Sequence, residues 1–323
     1  KPSTDASVLE KLRDRHPLVA DLLEYREFEK LRSTYVDGYL PLIRSDGRIH
    51  TTFNQMAAAT GRLSSEEPNL QNIPVRSESG MTIRRAFVPR EGWTFIVADY
   101  SQIELRVMAH MTGDDGLVTA FREGQDIHTA TAARVFGVTP DLVSPEMRRR
   151  AKVINFGLLY GMEAFGLAQR LDISRDEARE HMDAYFAQFP GVKAFLDGVV
   201  TEARRNGYTS TLFGRRRYLP ELKSDNFRIR QMGERMALNA PVQGTAADII
   251  KLAMIALDRE LITRKMQTAM LLQIHDELIL ESPPDELDDA IDLTRQTMEH
   301  VTELIVPLDV DINTGIDLAS VKG

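Results

Sequence analysis

The sequence predicts an α+β fold, and two kinds of pattern indicate it. Short apolar runs typical of buried strands occur at 94–98 and at 271–280, and the long segment between them, 102–233, has mainly helical spacing. β-like segments thus fall at 38–101 and again at 266–315. The simplest arrangement is one β platform built from two distant parts of the chain, with a large helical insertion between them.

Local signals assign the elements in order along the chain. Two helices are expected within the first 35 residues, and a turn-rich stretch with short β-like runs follows at 38–56. Ser174 and Glu177 have the spacing of a capping box, and they begin a helix that Pro190-Gly191 ends. The remaining expected elements are a helix that stops near Gly207, a helix at 286–304 and a final strand at 307–313.

The bulk composition is that of a globular protein, with 323 residues, 43% of them hydrophobic and 27% charged. The absence of cysteine excludes disulfides and thiolate metal sites, and we expect no stretch apolar enough to span a bilayer. A net charge of −8 weighs against nucleic-acid binding, but acids concentrate near the end of the chain. A protein with a basic groove on one face and acidic residues on the opposite face would also have this net charge. The basic clusters are Arg84-Arg85, Arg148-Arg149-Arg150 with Lys152, Arg215-Arg216-Arg217, and Arg228 with Arg230.

Two acidic positions follow predicted strands. Asp99 ends the apolar run 94–98, and His275-Asp276-Glu277 forms the tip of a predicted hairpin that contains no Lys or Arg. Two strand-end aspartates on one sheet would suit a hard divalent cation with oxygen ligands. The alternative is that each acid is a solvated turn residue.

The segment 148–161 predicts a helix with one unusual stripe. Arg148, Lys152, Phe156 and Tyr160 recur at every fourth residue and therefore lie on one face. Two cations could bind phosphates, and two rings could pack against a base and sugar, which is the layout of a nucleoside triphosphate. The alternative is an amphipathic helix with its rings in the core and its arginines in water.

Together these motifs resemble those of family A DNA polymerases, most of all the bacterial DNA polymerase I type. The resemblance covers essentially the whole chain, and its motifs occur in the family's order. They lie at 60–76, 99–106, 126–128, 148–161, 214–216, 239–245 and 273–277.

The resemblance implies a right-hand architecture with an antiparallel β-sheet palm and helical fingers. The expected division is residual thumb helices at 1–36, palm at 37–105, fingers at 106–232 and palm again at 233–323. The chain is expected to be the C-terminal polymerase part of a longer protein, with only the last part of the thumb. Fewer phosphate contacts would then make DNA binding weaker and the fragment a poor, distributive polymerase. A monomer in the bacterial cytoplasm, associated with the nucleoid and not with a membrane, is expected.

The implied activity is template-directed addition of dNTPs to a primer 3′-hydroxyl with release of pyrophosphate, in DNA replication and repair. Asp99 and Asp276 would hold two Mg²⁺ ions with the Tyr100 carbonyl, and Glu277 would lie nearby. Lys152 would protonate the leaving group. The implied nucleotide contacts are Gln102, Glu104, His128, Arg148, Lys152, Phe156 and Tyr160. The implied primer–template contacts are Arg62, Arg76, Arg235, Asn239, Gln243 and His275.

Two positions bear on which nucleotides are accepted. Glu104 would lie under the sugar C2′ and exclude ribonucleotides by its bulk, whereas a solvated helix Glu is the alternative by position alone. Phe156 offers no hydroxyl, so we expect dideoxynucleotides to be disfavoured. Two other functions stay open: a single-subunit RNA polymerase or another palm-type nucleotidyltransferase, and a DNA-binding fragment with little or no activity.

Overall fold

The computed structural model of the chain describes residues 2–75 and 77–321. The helices are α1 Ala6–Glu10, α2 Pro17–Leu31, α3 Glu78–Arg85, α4 Ile103–Thr112, α5 Asp115–Arg122, α6 Ile127–Phe136, α7 Pro145–Leu159, α8 Ala164–Leu171, α9 Arg175–Gln188, α10 Pro190–Asn206, α11 Phe227–Arg264 and α12 Leu287–Glu299. The strands are β1 Thr52–Asn54, β2 Ser64–Glu66, β3 Thr94–Tyr100, β4 Tyr208–Ser210, β5 Arg216–Tyr218, β6 Ala269–Ile274, β7 Glu277–Ser282 and β8 Val310–Gly315.

A four-stranded antiparallel sheet in the order β6–β7–β3–β8 positions the acidic residues. β3 is a run of buried apolar residues, as predicted for 94–98, and it pairs on one side with the hairpin strand β7. On its other side it pairs with β8 from the end of the chain. The sheet therefore joins two distant parts of the sequence around a helical segment, which confirms the predicted α+β arrangement.

Each face of the sheet covers a different core, because alternate residues of a strand point to opposite sides. Ile96 and Leu280 belong to the larger core, which includes residues of α4, α11 and α12. Phe95 and Ile279 face a smaller core formed with the chain before β3, where Tyr39 packs. This second core fixes the N-terminal segments on the opposite face from the helices.

The segment between the two parts of the sheet is mainly helical, from α4 to α10. The predicted capping box is present: the Ser174 hydroxyl accepts from the Glu177 N–H, and the Glu177 carboxylate accepts from the Ser174 N–H. α10 ends at the predicted glycine, because Gly207 adopts a positive φ of 79°. One hairpin, β4–β5, follows it and was not predicted.

The 38-residue helix α11 was also not predicted as one element. Pro241 lies inside it, where proline lacks a hydrogen-bond donor and normally ends a helix. The helix is long and apolar enough to span a membrane by length and composition, contrary to our expectation, but 67% of the relevant window is buried inside the protein. That burial is what a core helix requires.

Several predicted elements differ from the structure at their ends. The helix predicted for 148–161 is α7, which ends at Leu159 with Tyr160 as its C-cap. α2 stops at Leu31 and continues as a π-helical turn, Arg32–Val36. α12 ends at Glu299 and not at residue 304; the β-branched Val301 and Thr302 that follow have a slightly lower helix propensity. The last strand begins at Val310, three residues later than predicted.

Candidate active site

The structure brings together the two strand-end acids. Asp99 lies opposite Glu277 on β7 and opposite Asp311 on β8. The Tyr100 N–H donates to the Asp276 carbonyl at 3.1 Å, so the end of β3 is bonded to the tip of the hairpin. Two residues that are 177 positions apart, 276 minus 99, therefore meet at one edge of the sheet.

A cavity of about 270 Å³ lies above this edge. It is lined by both aspartates and by six of the seven predicted nucleotide contacts; the seventh, Tyr160, lies beside it. Glu277 does not line this cavity but faces a neighbouring one of about 580 Å³, together with Asp99, Asp311 and Arg295. The lining of the first cavity is Asp99, Tyr100, Gln102, Ile103, Glu104, His128, Arg148, Lys152, Phe156 and Asp276.

Glu104 is buried, with a side chain only 5% exposed, so the alternative of a solvated helix Glu is wrong. The Tyr160 hydroxyl donates to one of its carboxylate oxygens, and Arg62 Nη2 donates to the other at 2.7 Å. Burial raises the pKa of Glu104, whereas Tyr160 and Arg62 oppose this shift. The two donors hold this carboxylate in place at the floor of the cavity.

Asp276 is half-buried, and burial raises its pKa. Arg62 Nη2, 3.7 Å from the Asp276 Oδ1, acts in the opposite direction. Arg62 thus contacts two carboxylates of the site at once. Sequence reasoning placed this arginine only against DNA and missed its role as the counter-charge within the protein.

The predicted cationic helix is α7, and its stripe faces the cavity. Arg148 donates from Nη2 and Nε to the two oxygens of Asp126, at 2.6 and 3.1 Å. Although burial raises the pKa of Asp126, the hydrogen bonds from Arg148 and Thr129 lower it to about 2. Asp126 is therefore a charged residue that positions Arg148, and sequence reasoning missed this role.

The rings of the stripe are also in place. Phe156 and Tyr160 stack with centroids 6.4 Å apart and an interplanar angle of 27°, and His128 lies 5.7 Å from Phe156. His128 is buried, and burial lowers its pKa to about 4. Its Nδ1 lies 3.0 Å from the Nδ2 of the fully buried Asn155, which also bonds Thr131. Asn155 donates in this arrangement, so Nδ1 accepts and the imidazole hydrogen is left on Nε2.

The predicted DNA contacts are only partly grouped. Arg235, Asn239 and Gln243 are spaced by four residues on α11 and form one stripe. Gln243 hydrogen-bonds Tyr160, which connects this stripe to the residues beside the 270 Å³ cavity. His275 is exposed at the hairpin tip, next to Asp276. Arg76 lies outside the described residues.

Comparison with solved structures defines the class of fold. The chain superimposes on a structure described as the POL domain of Pol1 from M. smegmatis in complex with DNA primer-template and dNTP, with a TM-score of 0.95 and 50% sequence identity. The match covers 99% of this chain and 57% of that one. The architecture is therefore that of the right-hand polymerases, as predicted.

The particular family follows from the sequence comparisons. The profile of DNA polymerase family A matches residues 1–320, and the chain belongs to this family. It is 53% identical over all 323 residues to the thermostable DNA polymerase I of Thermus thermophilus, of which it covers 39%. It is 53% identical over 316 residues, 97% of its length, to DNA polymerase I of Bacillus caldotenax, of which it covers 36%. The chain thus spans less than two fifths of the length of these relatives.

Proposed function

We propose that this chain catalyses template-directed DNA synthesis, in which a dNTP is added to a primer 3′-hydroxyl and pyrophosphate is released. The observation that carries the proposal is the 270 Å³ cavity, because Asp99 and Asp276 line it together with the cations Arg148 and Lys152. The names of the relatives and the DNA and dNTP in the neighbouring structure support it. A role in DNA replication and repair belongs to the same proposal.

The site residues fit the two Mg²⁺ ions that this chemistry requires. Asp99, Asp276 and the Tyr100 carbonyl supply hard oxygen ligands, and Gln102 Oε1 is buried without a hydrogen-bond partner in the described part of the chain. No group of three or more His, Asp or Glu side chains within residues 2–75 and 77–321 could hold a metal by itself. Mg²⁺ sites often have only one or two carboxylates and are completed by water and substrate phosphates. When bound, the two ions would activate the primer hydroxyl and stabilise charge on the triphosphate.

The chain's own residues bind and orient the nucleotide. Arg148 and Lys152 neutralise the phosphates, and His128, neutral at pH 7 because its pKa is about 4, donates Nε2–H to them. Lys152 supplies the proton for the departing pyrophosphate, since an arginine does not release its own. Phe156 packs against the incoming sugar and base, and Tyr160 stacks near the template base.

Glu104 selects the sugar. Its carboxylate is fixed by Tyr160 and Arg62, so it cannot swing away to admit a 2′-hydroxyl. Ribonucleotides are therefore rejected by bulk, which favours a DNA polymerase over a single-subunit RNA polymerase. The DNA contacts proposed for this site are Arg62, Arg76, Arg235, Asn239, Gln243 and His275.

The domain assignment follows the same proposal. Residues 1–36 form the end of the thumb, 37–105 and 233–323 the palm, and 106–232 the fingers. The protein acts as a monomer in the bacterial cytoplasm at the nucleoid and without a membrane.

Primer extension with Mg²⁺ tests the function. We expect extension by the wild-type chain and its loss in Asp99→Ala and in Asp276→Ala. Asp197→Ala is the matched control, because Asp197 is exposed and its carboxylate pairs, among the residues that the structure describes, only with Lys193 one turn earlier. Equal activity in all four proteins would reject the assignment of the two aspartates. If the wild type binds DNA without extending a primer, the second candidate function, a DNA-binding fragment, is favoured. This outcome is worth testing because the chain covers only 39% of the Thermus thermophilus relative.

A further inference from the structure

Arg62 contacts two carboxylates of the site, and the position of its backbone determines whether its guanidinium can reach them. Its guanidinium contacts Glu104 at 2.7 Å and Asp276 at 3.7 Å, and its side chain is 31% exposed. A long, partly exposed side chain loses considerable rotamer freedom when it is held in one position. A rigid backbone beneath it reduces that cost, because fewer arrangements then compete.

The backbone just before Arg62 lies against another arginine. Gly61 is buried and has a φ of +83°, a conformation that favours glycine. A Cβ at this position would lie 2.6 Å from Arg215 Nε and 2.9 Å from its Cζ, so the guanidinium of Arg215 lies directly on the Gly61 backbone. The Gly61 N–H donates to the Ala58 carbonyl at 2.9 Å, which closes the turn.

Arg215 is itself held firmly. Its Nε and Nη2 lie 2.8 and 2.7 Å from Asp248 Oδ1 on α11, and Asp248 is 7% exposed. The other oxygen of Asp248 accepts from the Thr211 hydroxyl at 2.8 Å, and that hydroxyl accepts from the Arg215 N–H at 3.1 Å. A buried, fully bonded carboxylate of this kind fixes the guanidinium in one orientation.

α11 also approaches the same turn one helical turn earlier. A Cβ at Gly244 would lie 3.2 Å from the Thr60 carbonyl oxygen and 2.6 Å from Thr211 Cγ2. The Thr60-Gly61 backbone is therefore enclosed between α11 and the side chain of Arg215. Helix, hairpin and turn form one packed unit directly before Arg62.

We propose that Arg215 and Asp248 are positioning residues for Arg62. They fix the Thr60-Gly61 turn so that the Arg62 guanidinium reaches Glu104 and Asp276, and they do not touch the nucleotide. The inference rests on the proposed function, because the position of Arg62 matters for activity only in a site that selects nucleotides. The competing explanation is that Arg215, whose side chain is 41% exposed, contacts DNA directly.

A double-mutant cycle separates these explanations. We expect Arg215→Ala to lower kcat/KM for dNTP incorporation by about tenfold and Asp248→Asn to lower it similarly, mainly through KM. In an Arg62→Ala background, Arg215→Ala should add less than about twofold, because the group that it positions is gone. Arg217→Ala is the matched control, an arginine of the same hairpin without these contacts in the described chain. A full tenfold additional loss in the Arg62→Ala background would overturn the proposal.

Hydrogen exchange gives a readout that does not depend on activity. Amide exchange in 58–62 should rise by about tenfold in Arg215→Ala and Asp248→Asn and stay unchanged in Arg217→Ala. If the wild-type chain does not extend a primer, the proposed function fails, and exchange alone decides the positioning role. Unchanged protection of 58–62 in Arg215→Ala would then reject it, and increased exchange would support it.

Discussion

The buried His128 should make the protein less stable in mild acid. Burial lowers its pKa to about 4; the cations Lys152 and Arg148 act in the same direction, and Asp126 opposes them. In the unfolded chain the pKa returns to its usual value near 6.5, so between these two values the unfolded state binds more protons. Stability therefore falls as the pH falls through this window, by about 2.5 kcal/mol at about pH 4.5.

Urea unfolding of the wild type and His128→Gln, followed from about pH 7.5 to about pH 4.5, measures this loss. The variant loses one hydrogen bond to Asn155 at every pH, so its absolute stability is not the readout. The readout is the change in the free energy of unfolding between the two pH values, which should be smaller in the variant by about 2.5 kcal/mol. His300→Gln, at an exposed position, is the control and should follow the wild type. Parallel curves for the wild type and His128→Gln would refute the assigned protonation state.

Three other changes test separate parts of the structure. Glu281→Gln should destabilise the chain by about 2 kcal/mol in chemical denaturation, because the buried Oε2 of Glu281 accepts from Arg48 Nη2 at 3.0 Å and from the Arg90 N–H at 3.1 Å. A loss below about 0.5 kcal/mol would show that the charge on Glu281 does not strengthen these bonds. Glu104→Ala should raise the ratio of ribonucleotide to deoxynucleotide incorporation by roughly 10–200-fold in single-nucleotide extension. An unchanged ratio would show that Glu104 does not exclude ribonucleotides. Phe156→Tyr should increase the incorporation of dideoxynucleotides relative to dNTPs by about tenfold or more, since the tyrosine hydroxyl replaces the contact of the missing 3′-hydroxyl. Equal chain termination by the wild type and the variant would contradict this.

Local patterns predicted those parts of the molecule that depend on neighbouring residues. The strand before Asp99 and the hairpin before Asp276 follow from short apolar runs and a polar tip, and the α7 stripe follows from a period of four. The capping box Ser174/Glu177 needs only a spacing of three. In each case the determining contacts lie within one turn or one strand pair, so the sequence contains them directly.

Elements that depend on tertiary packing could not be predicted in this way. α11 continues through Pro241 because Ala240, Pro241 and Val242 are buried, and tertiary packing of these residues stabilises a turn that lacks one backbone hydrogen bond. The hairpin β4–β5 consists of two three-residue strands, too short for alternation to be recognised. Its contacts with α10 and α11 define it more than its own sequence does.

Charge partners are the least predictable part of the site, since a basic residue has no preferred partner until the fold places an acid beside it. The hairpin run around Asp276 contains no cation, and from sequence the missing counter-charge was assigned wholly to metal ions. The structure supplies part of it through Arg62, which arrives from a loop more than 200 positions earlier and bonds Glu104 as well. Likewise Arg148 bonds Asp126, although the sequence pattern placed its guanidinium only against phosphates. Each arginine is therefore held by a carboxylate of the protein itself, so a ligand that recruits either one must replace the bonds that the protein already provides.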